Sequence, residues 1–134
     1  MKKILCAVDE SEHAKTAAAL AAQMAKAMGA ELTLLAVNEL EGVGGVSYLW
    51  DDAELEFVLE KAKAAAEEAG VLDPKKESVI GRDVARAIVA VAEENGFDHI
   101  VVGRTGKGGV RRLMLGSVSS DVVNRAHCPV TVAG

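Results

Sequence analysis

The chain has 134 residues, which suggests one domain, residues 1–134, with room for a sizeable core. Half of its residues are hydrophobic, only 3% are aromatic and the formal net charge is -5, so the core must be built from Ala, Val, Leu and Ile, and the acidic balance argues against a general nucleic-acid binder. No apolar run approaches the roughly 20 residues of a membrane span. With no secretory signal and no metal-ligand spacing, Cys6 and Cys128 are expected to be buried, reduced thiols of a cytoplasmic protein.

In chain order, strand-like and helix-like segments alternate. "KKILCAVD" opens as a short buried strand. From Ser11 to Met28 alanines dominate a helix that Ser11 can cap and Gly29 can stop. "ELTLLAVN" is a second strand, followed by a loop with three glycines. Between Asp51 and Ala69, the positions Leu55, Val58, Leu59, Ala62, Ala66 and Ala69 recur at helical spacing, and Gly70 ends that helix. "KESVIG" is a third strand. "RDVARAIVAVAEENG" is a third helix, with Val84, Ala87, Ile88 and Val91 on one face. "FDHIVVG" is a fourth strand, "SVSSDVVNRAH" a short fourth helix and "CPVTVAG" a last strand, with Pro129 near its start.

Five apolar strands joined by four helical crossovers predict an α/β fold, a doubly wound parallel sheet covered on both faces. Such a sheet binds ligands beyond the carboxyl ends of its strands, where the winding direction reverses. The first and fourth strands, ended by Asp9 and Gly103, are the natural neighbours at that point.

The stretch "GRTGKGGVRRLMLGS", Gly103 to Ser117, concentrates five glycines and four basic residues, Arg104, Lys107, Arg111 and Arg112. There is no carboxylate between Asp98 and Asp121, whereas eight carboxylates and no Lys or Arg lie between Lys26 and Lys61. Gly103 and Gly106 would let the chain turn as it leaves a strand. Gly116 and Ser117 open the next helix, where free N–H groups and the helix dipole make a site for an anion such as phosphate. The alternative is a surface loop shaped by glycines alone. No G-x-x-x-x-G-K-[ST] occurs, and "VDESEHA" follows the first strand in place of G-x-G-x-x-G, so neither a P-loop nor a dinucleotide fingerprint is present.

The spacing Gly103, two residues, Gly106, nine residues, Gly116-Ser117 resembles the G-x2-G-x9-G-[ST] signature of the universal stress protein family. "KILCAVDESEHA" is similar to that family's first strand and Asp-containing turn, and "HCPVTV" to its last strand, so the resemblance covers Lys2 to Ala133. The resemblance implies a Rossmann-like sheet of the adenine nucleotide alpha hydrolase-like kind, usually in a homodimer, and an ATP-binding regulatory protein of the stress response. It also implies that Gly103, Gly106, Gly116 and Ser117 hold phosphates and ribose, with Val118 and Ser119 following in the first helical turn. Asp9 would face the nucleotide, and Val37 would meet adenine with its backbone beside Ala7. Some relatives carry proline where Ala7 stands, which makes the base contacts differ here. The stretch Glu39 to Trp50, variable in the family, is read as a lid or part of a dimer contact.

Asp9 suits three roles: base, ribose ligand or helix cap. No second carboxylate with recognisable spacing accompanies it near the glycine stretch, so binding and regulation are favoured over the alternative, a slow ATPase or other nucleotide-handling enzyme. Asp51 and Asp52 suit a helix start rather than a metal site; Mg²⁺ is expected only with the nucleotide phosphates. Of the histidines, His13 falls in the first helix, His99 inside a strand, where a core or surface role is favoured over catalysis, and His127 before the last strand is read as structural. Finally, no charge guards the stretch from Cys128 to Gly134, so an edge strand there predicts a homodimer paired through Val130 to Val132.

Overall fold

The computed structural model describes residues 1–44, 47–104 and 116–134. Its elements follow one another as β1 (Lys3–Ala7), α1 (Glu12–Met28), β2 (Glu31–Glu41), β3 (Ser47–Tyr48), α2 (Asp52–Glu68), β4 (Lys75–Gly81), α3 (Val84–Glu94), β5 (His99–Gly103), α4 (Ser117–Arg125) and β6 (Val130–Ala133). Local chemistry explains the boundaries. The Ser11 hydroxyl accepts from the Ala14 N–H at 3.3 Å, and Gly29, at φ 65°, stops α1 in a left-handed turn that a side chain would resist. Asp51 and Glu54 form a reciprocal capping box on α2. The Asp83 side chain accepts from the Arg86 N–H at the start of α3.

The parallel strands lie in the order β4-β2-β1-β5-β6. The chain winds outward from β1 to β2 and β4, then crosses back to β5 and β6, so the winding reverses between β1 and β5. These two strands pair directly, Ile4 with His99 through Cys6 with Val101. On one face Ile4, Cys6, Leu34, Ala36 and Val101 pack under α1 and α2. On the other, Leu5, Leu35, Val37, Ile100 and Val102 pack under α3 and α4. Ala17, Ala18, Ala21 and Ala22 of α1 are all fully buried, and their small side chains let the helix lie close on the sheet.

Three details depart from the sequence expectation. β2 extends to Glu41, beyond "ELTLLAVN", because β4 pairs with it as far as Glu39 and β3 continues the pairing in antiparallel sense at Leu40 and Glu41. The end of β2 and the two residues of β3 therefore pair as a small antiparallel ladder. Cys128 is half-buried, whereas Cys6 is wholly buried; both are free thiols. Burial pushes the Cys6 pKa up to about 12 and raises that of Cys128, so both stay protonated at neutral pH.

His99 is buried beside the edge strand, its Nε2 2.7 Å from Thr131 Oγ1 and its Nδ1 without a partner among the described residues. Burial lowers its pKa below the ordinary imidazole value of 6.5, outweighing the opposite pull of the Asp98 carboxylate. The unfolded chain therefore takes up this proton first, and the stability tied to neutral His99 is lost as pH falls below about 6.5. Urea denaturation of wild type and His99→Gln at pH 7.5 and 5.5 checks this. The stability advantage of wild type should shrink at the lower pH; a constant difference would contradict the assignment.

Candidate functional site

A cavity of about 270 Å³ opens beyond the carboxyl ends of β1 and β5, where the winding reverses. Ala7 and Val8 enter it from the end of β1 and Val37 from β2, while Val84 and Ile88 of α3 close its apolar side. Gly103 ends β5 at the opposite wall, and Gly116, Ser117, Val118 and Ser119 bring in the first turn of α4. Asp9 lies between, in the turn into α1: its Oδ1 accepts from the Ser11 N–H at 2.9 Å, holding the turn that lets Ser11 cap the helix. Asp9 thus has a structural role and also a place on the cavity wall.

The start of α4 differs from the others. Ser11, Asp51 and Asp83 each place a side-chain oxygen on their helices, whereas Gly116, at φ -67° and ψ 164°, caps α4 with no side chain. The Gly116 N–H donates to the Arg104 carbonyl at 2.9 Å, and the Ser119 hydroxyl donates to the same oxygen at 2.7 Å. Arg104 also donates its N–H to the Ala133 carbonyl of β6. Residues 104 and 116 are thereby held together at the cavity edge. The Ser119 hydroxyl serves this join, so a ligand would meet that residue through its main chain.

The cavity's described charges are all carboxylates, Asp9, Glu10 and Glu39. Leu49 and Trp50 complete its outer wall. Trp50 is held by a buried residue: Asn38 donates its amide N–H to the Trp50 carbonyl at 2.9 Å and accepts from the Trp50 N–H at 3.0 Å. Sequence reading missed this pair, because a clamp between a strand and a distant loop leaves no local periodicity. The only signal was an Asn ending an otherwise apolar strand.

The comparisons with known proteins agree with this layout. The universal stress protein family matches residues 1–134. The chain belongs to that family. It is 41% identical over 136 residues to a universal stress protein of Thermus aquaticus, with 96% of each chain covered. It is 36% identical over 140 residues to one from Methanocaldococcus jannaschii, covering 98% of this chain and 81% of the relative. Among solved structures, a universal stress protein in complex with cAMP superposes with a TM-score of 0.80 at 25% identity, covering 99% of this chain and 97% of that one.

Within the family fold, the structure brings Ala7, Asp9, Val37, Gly103, Gly116, Ser117, Val118 and Ser119 to one cavity. Gly106, Lys107, Arg111 and Arg112 lie outside the described residues. The histidines stand apart from the cavity: His127 pairs with Glu93 at 2.6 Å on the surface, and His13 sits in the first turn of α1. Among the described residues no group of three or more His, Cys, Asp or Glu could hold a metal ion, and no helix is long and apolar enough to cross a membrane.

Gly103 has a reason other than a tight turn. A Cβ there would meet the carbonyl carbon, carbonyl oxygen and Cβ of His13 at 3.0 Å each. The absent side chain lets the first turn of α1 rest on the end of β5. Gly103→Ala should therefore lower stability by about 1–3 kcal/mol through overpacking. Urea denaturation measures this; a neutral substitution would show that α1 has room to move.

Proposed function

We propose that this universal stress protein binds an adenine nucleotide, ATP with Mg²⁺, in the cavity at the β1–β5 switch point. Its occupancy then alters the protein's conformation or partners in a cytoplasmic stress response. One observation carries the reading: an apolar slot between Ala7, Val37 and Ile88 opens onto an α4 start that no side chain caps. The slot has the chemistry to take a purine, and free N–H groups at a helix start suit a phosphate. The relative solved with cAMP supports a nucleotide in the same fold.

In this reading the main-chain N–H groups of Ser117 to Ser119 contact phosphate, the bare Gly116 cap leaves room for it, Gly103 shapes the approach, and Asp9 faces the ribose. The carboxylates of Asp9, Glu10 and Glu39 oppose a triphosphate, which a Mg²⁺ ion entering on the phosphates offsets. The role is regulatory binding, and single-turnover hydrolysis of bound ATP separates it from a slow ATPase.

Calorimetry with ATP, GTP and NAD should give micromolar binding of ATP in the presence of Mg²⁺, about -8 kcal/mol, and much weaker heats for the other two. No ATP heat at millimolar ligand, or equal binding of all three, would overturn the reading. Gly116→Val should abolish ATP binding while circular dichroism stays native, because the backbone angles at 116 are open to valine. Retained affinity would mean that the glycine only shapes the loop.

Assembly as a homodimer belongs to the same proposal. β6 lies at one edge of the sheet and pairs only with β5 among the described strands. Val130 to Val132 carry no charge to discourage pairing with a second copy. Val130 and Val132 are half-buried against the α3–α4 core, where lysine stems can lie along the apolar surface with the ammonium in water. The double variant Val130→Lys, Val132→Lys should sediment as a folded monomer. A wild-type monomer at high micromolar concentration, or a variant that stays dimeric, would contradict the pairing.

A further inference from the structure

On the far side of the Leu49–Trp50 wall lies a shallower groove of about 480 Å³, on the outer surface of α2. Its apolar floor is Leu49, Trp50, Phe57 and Val58, and the charged residues on it are Glu10 and Glu54. Phe57 is 63% exposed, an unusual place for one of only four aromatic residues in the chain. Three groove residues, Glu10, Leu49 and Trp50, also line the nucleotide-sized cavity. Trp50, shared by the two, is held by the Asn38 clamp on its main chain.

We propose that this groove docks a protein partner through a short amphipathic segment of basic and aliphatic residues, and that the partner thereby reads the occupancy of the cavity. The charges argue for that occupant. The charged residues among the groove's described lining are carboxylates, within a stretch from Lys26 to Lys61 that holds eight carboxylates and no Lys or Arg, and Lys61 at its end places a cation over the Phe57 ring. The Phe57 ring carries the ammonium of Lys61 at 5.3 Å, so a cation is stabilised on this ring, and a partner's Lys or Arg takes the place by displacing Lys61. The apolar floor supplies the anchor site and the carboxylates supply orientation and steering. A ligand that shifts Glu10, Leu49 or Trp50 from the cavity side changes the groove, and by linkage the partner changes nucleotide affinity by the same factor. The coupling rests on the nucleotide reading above; the docking surface does not.

The test uses the whole protein and a fluorescent helical peptide of Lys and Leu, with Lys/Ser and Glu/Leu peptides as controls, read by anisotropy at physiological salt. The Lys/Leu peptide should bind, and the controls should bind at least about tenfold more weakly. Saturating Mg-ATP should change Lys/Leu affinity by about fivefold or more, with no comparable change for Lys/Ser, which carries the same charge and would pair with ATP directly. The lone tryptophan, Trp50, should change its fluorescence with either ligand. Phe57→Lys should weaken peptide binding about tenfold or more and leave ATP affinity in calorimetry unchanged. Equal binding of Lys/Leu and Lys/Ser, or peptide affinity untouched by Phe57→Lys, would overturn the docking surface. Self-association of the protein that Phe57→Lys abolishes would also overturn it, by making the occupant a second copy. ATP binding without any change in peptide affinity would overturn the coupling alone. Absence of ATP binding would overturn the nucleotide reading and the coupling with it, while the peptide measurements still decide the groove.

Discussion

The direct pairing of β1 with β5 is the contact on which the rest of this structure depends. It brings together two strands that lie far apart in the sequence and sends the chain outward on both sides. Because α1 and α2 cover one face and α3 and α4 the other, none of the described helices crosses over the carboxyl ends of β1 and β5. The opening left there is a consequence of the topology. What fills its rim follows from the same pairing: the turn at Asp9 leaves β1, and Gly103 leaves β5.

Two close approaches then shape the opening. α1 rests on Gly103 through the backbone of His13, which brings the start of that helix and the Asp9 turn close to the end of β5. On the other side, Asn38 holds Trp50 by both main-chain polar groups. Removing either hydrogen bond would leave a buried polar group unpaired, at a cost of about 1–3 kcal/mol. The clamp therefore ties the Trp50 main chain, and with it the outer wall, to β2. At the third corner, the Arg104 carbonyl receives both the Gly116 N–H and the Ser119 hydroxyl, tying α4 to the end of β5. Rigid elements thus hold three sides of the cavity.

Much of this was legible in the sequence, and the reasons are local. Ser11, Gly29, Asp51 and Gly70 mark helix ends by interactions within a few residues, and apolar runs mark strands buried on both faces. The adjacency of β1 and β5 followed from the general rule for doubly wound sheets. Asp9, Gly103 and the Gly116 turn could be grouped because each ends or begins an element at that same edge, while Ala7 and Val37 were placed there by the family resemblance. The Asn38–Trp50 clamp was not legible, since its partners sit in different elements and follow no period. Nor was the reason for Gly103, which depends on a helix turn brought near only by the sheet. The pairing of β2 with β3 was hidden by glycines that read as a plain loop. Gly106 and the basic residues that follow it lie outside the described residues, so the sequence remains the only guide to them.

The account's central claim is that the crevice at the winding reversal is a nucleotide site whose anion end is the α4 start. A crystal structure of the protein grown with Mg-ATP tests it most directly. The account predicts adenine density between Ala7, Val37 and Ile88, and phosphate oxygens within hydrogen-bond distance of the main-chain N–H groups of Ser117 to Ser119. An empty crevice at saturating Mg-ATP, or a nucleotide bound elsewhere on the surface, would contradict it.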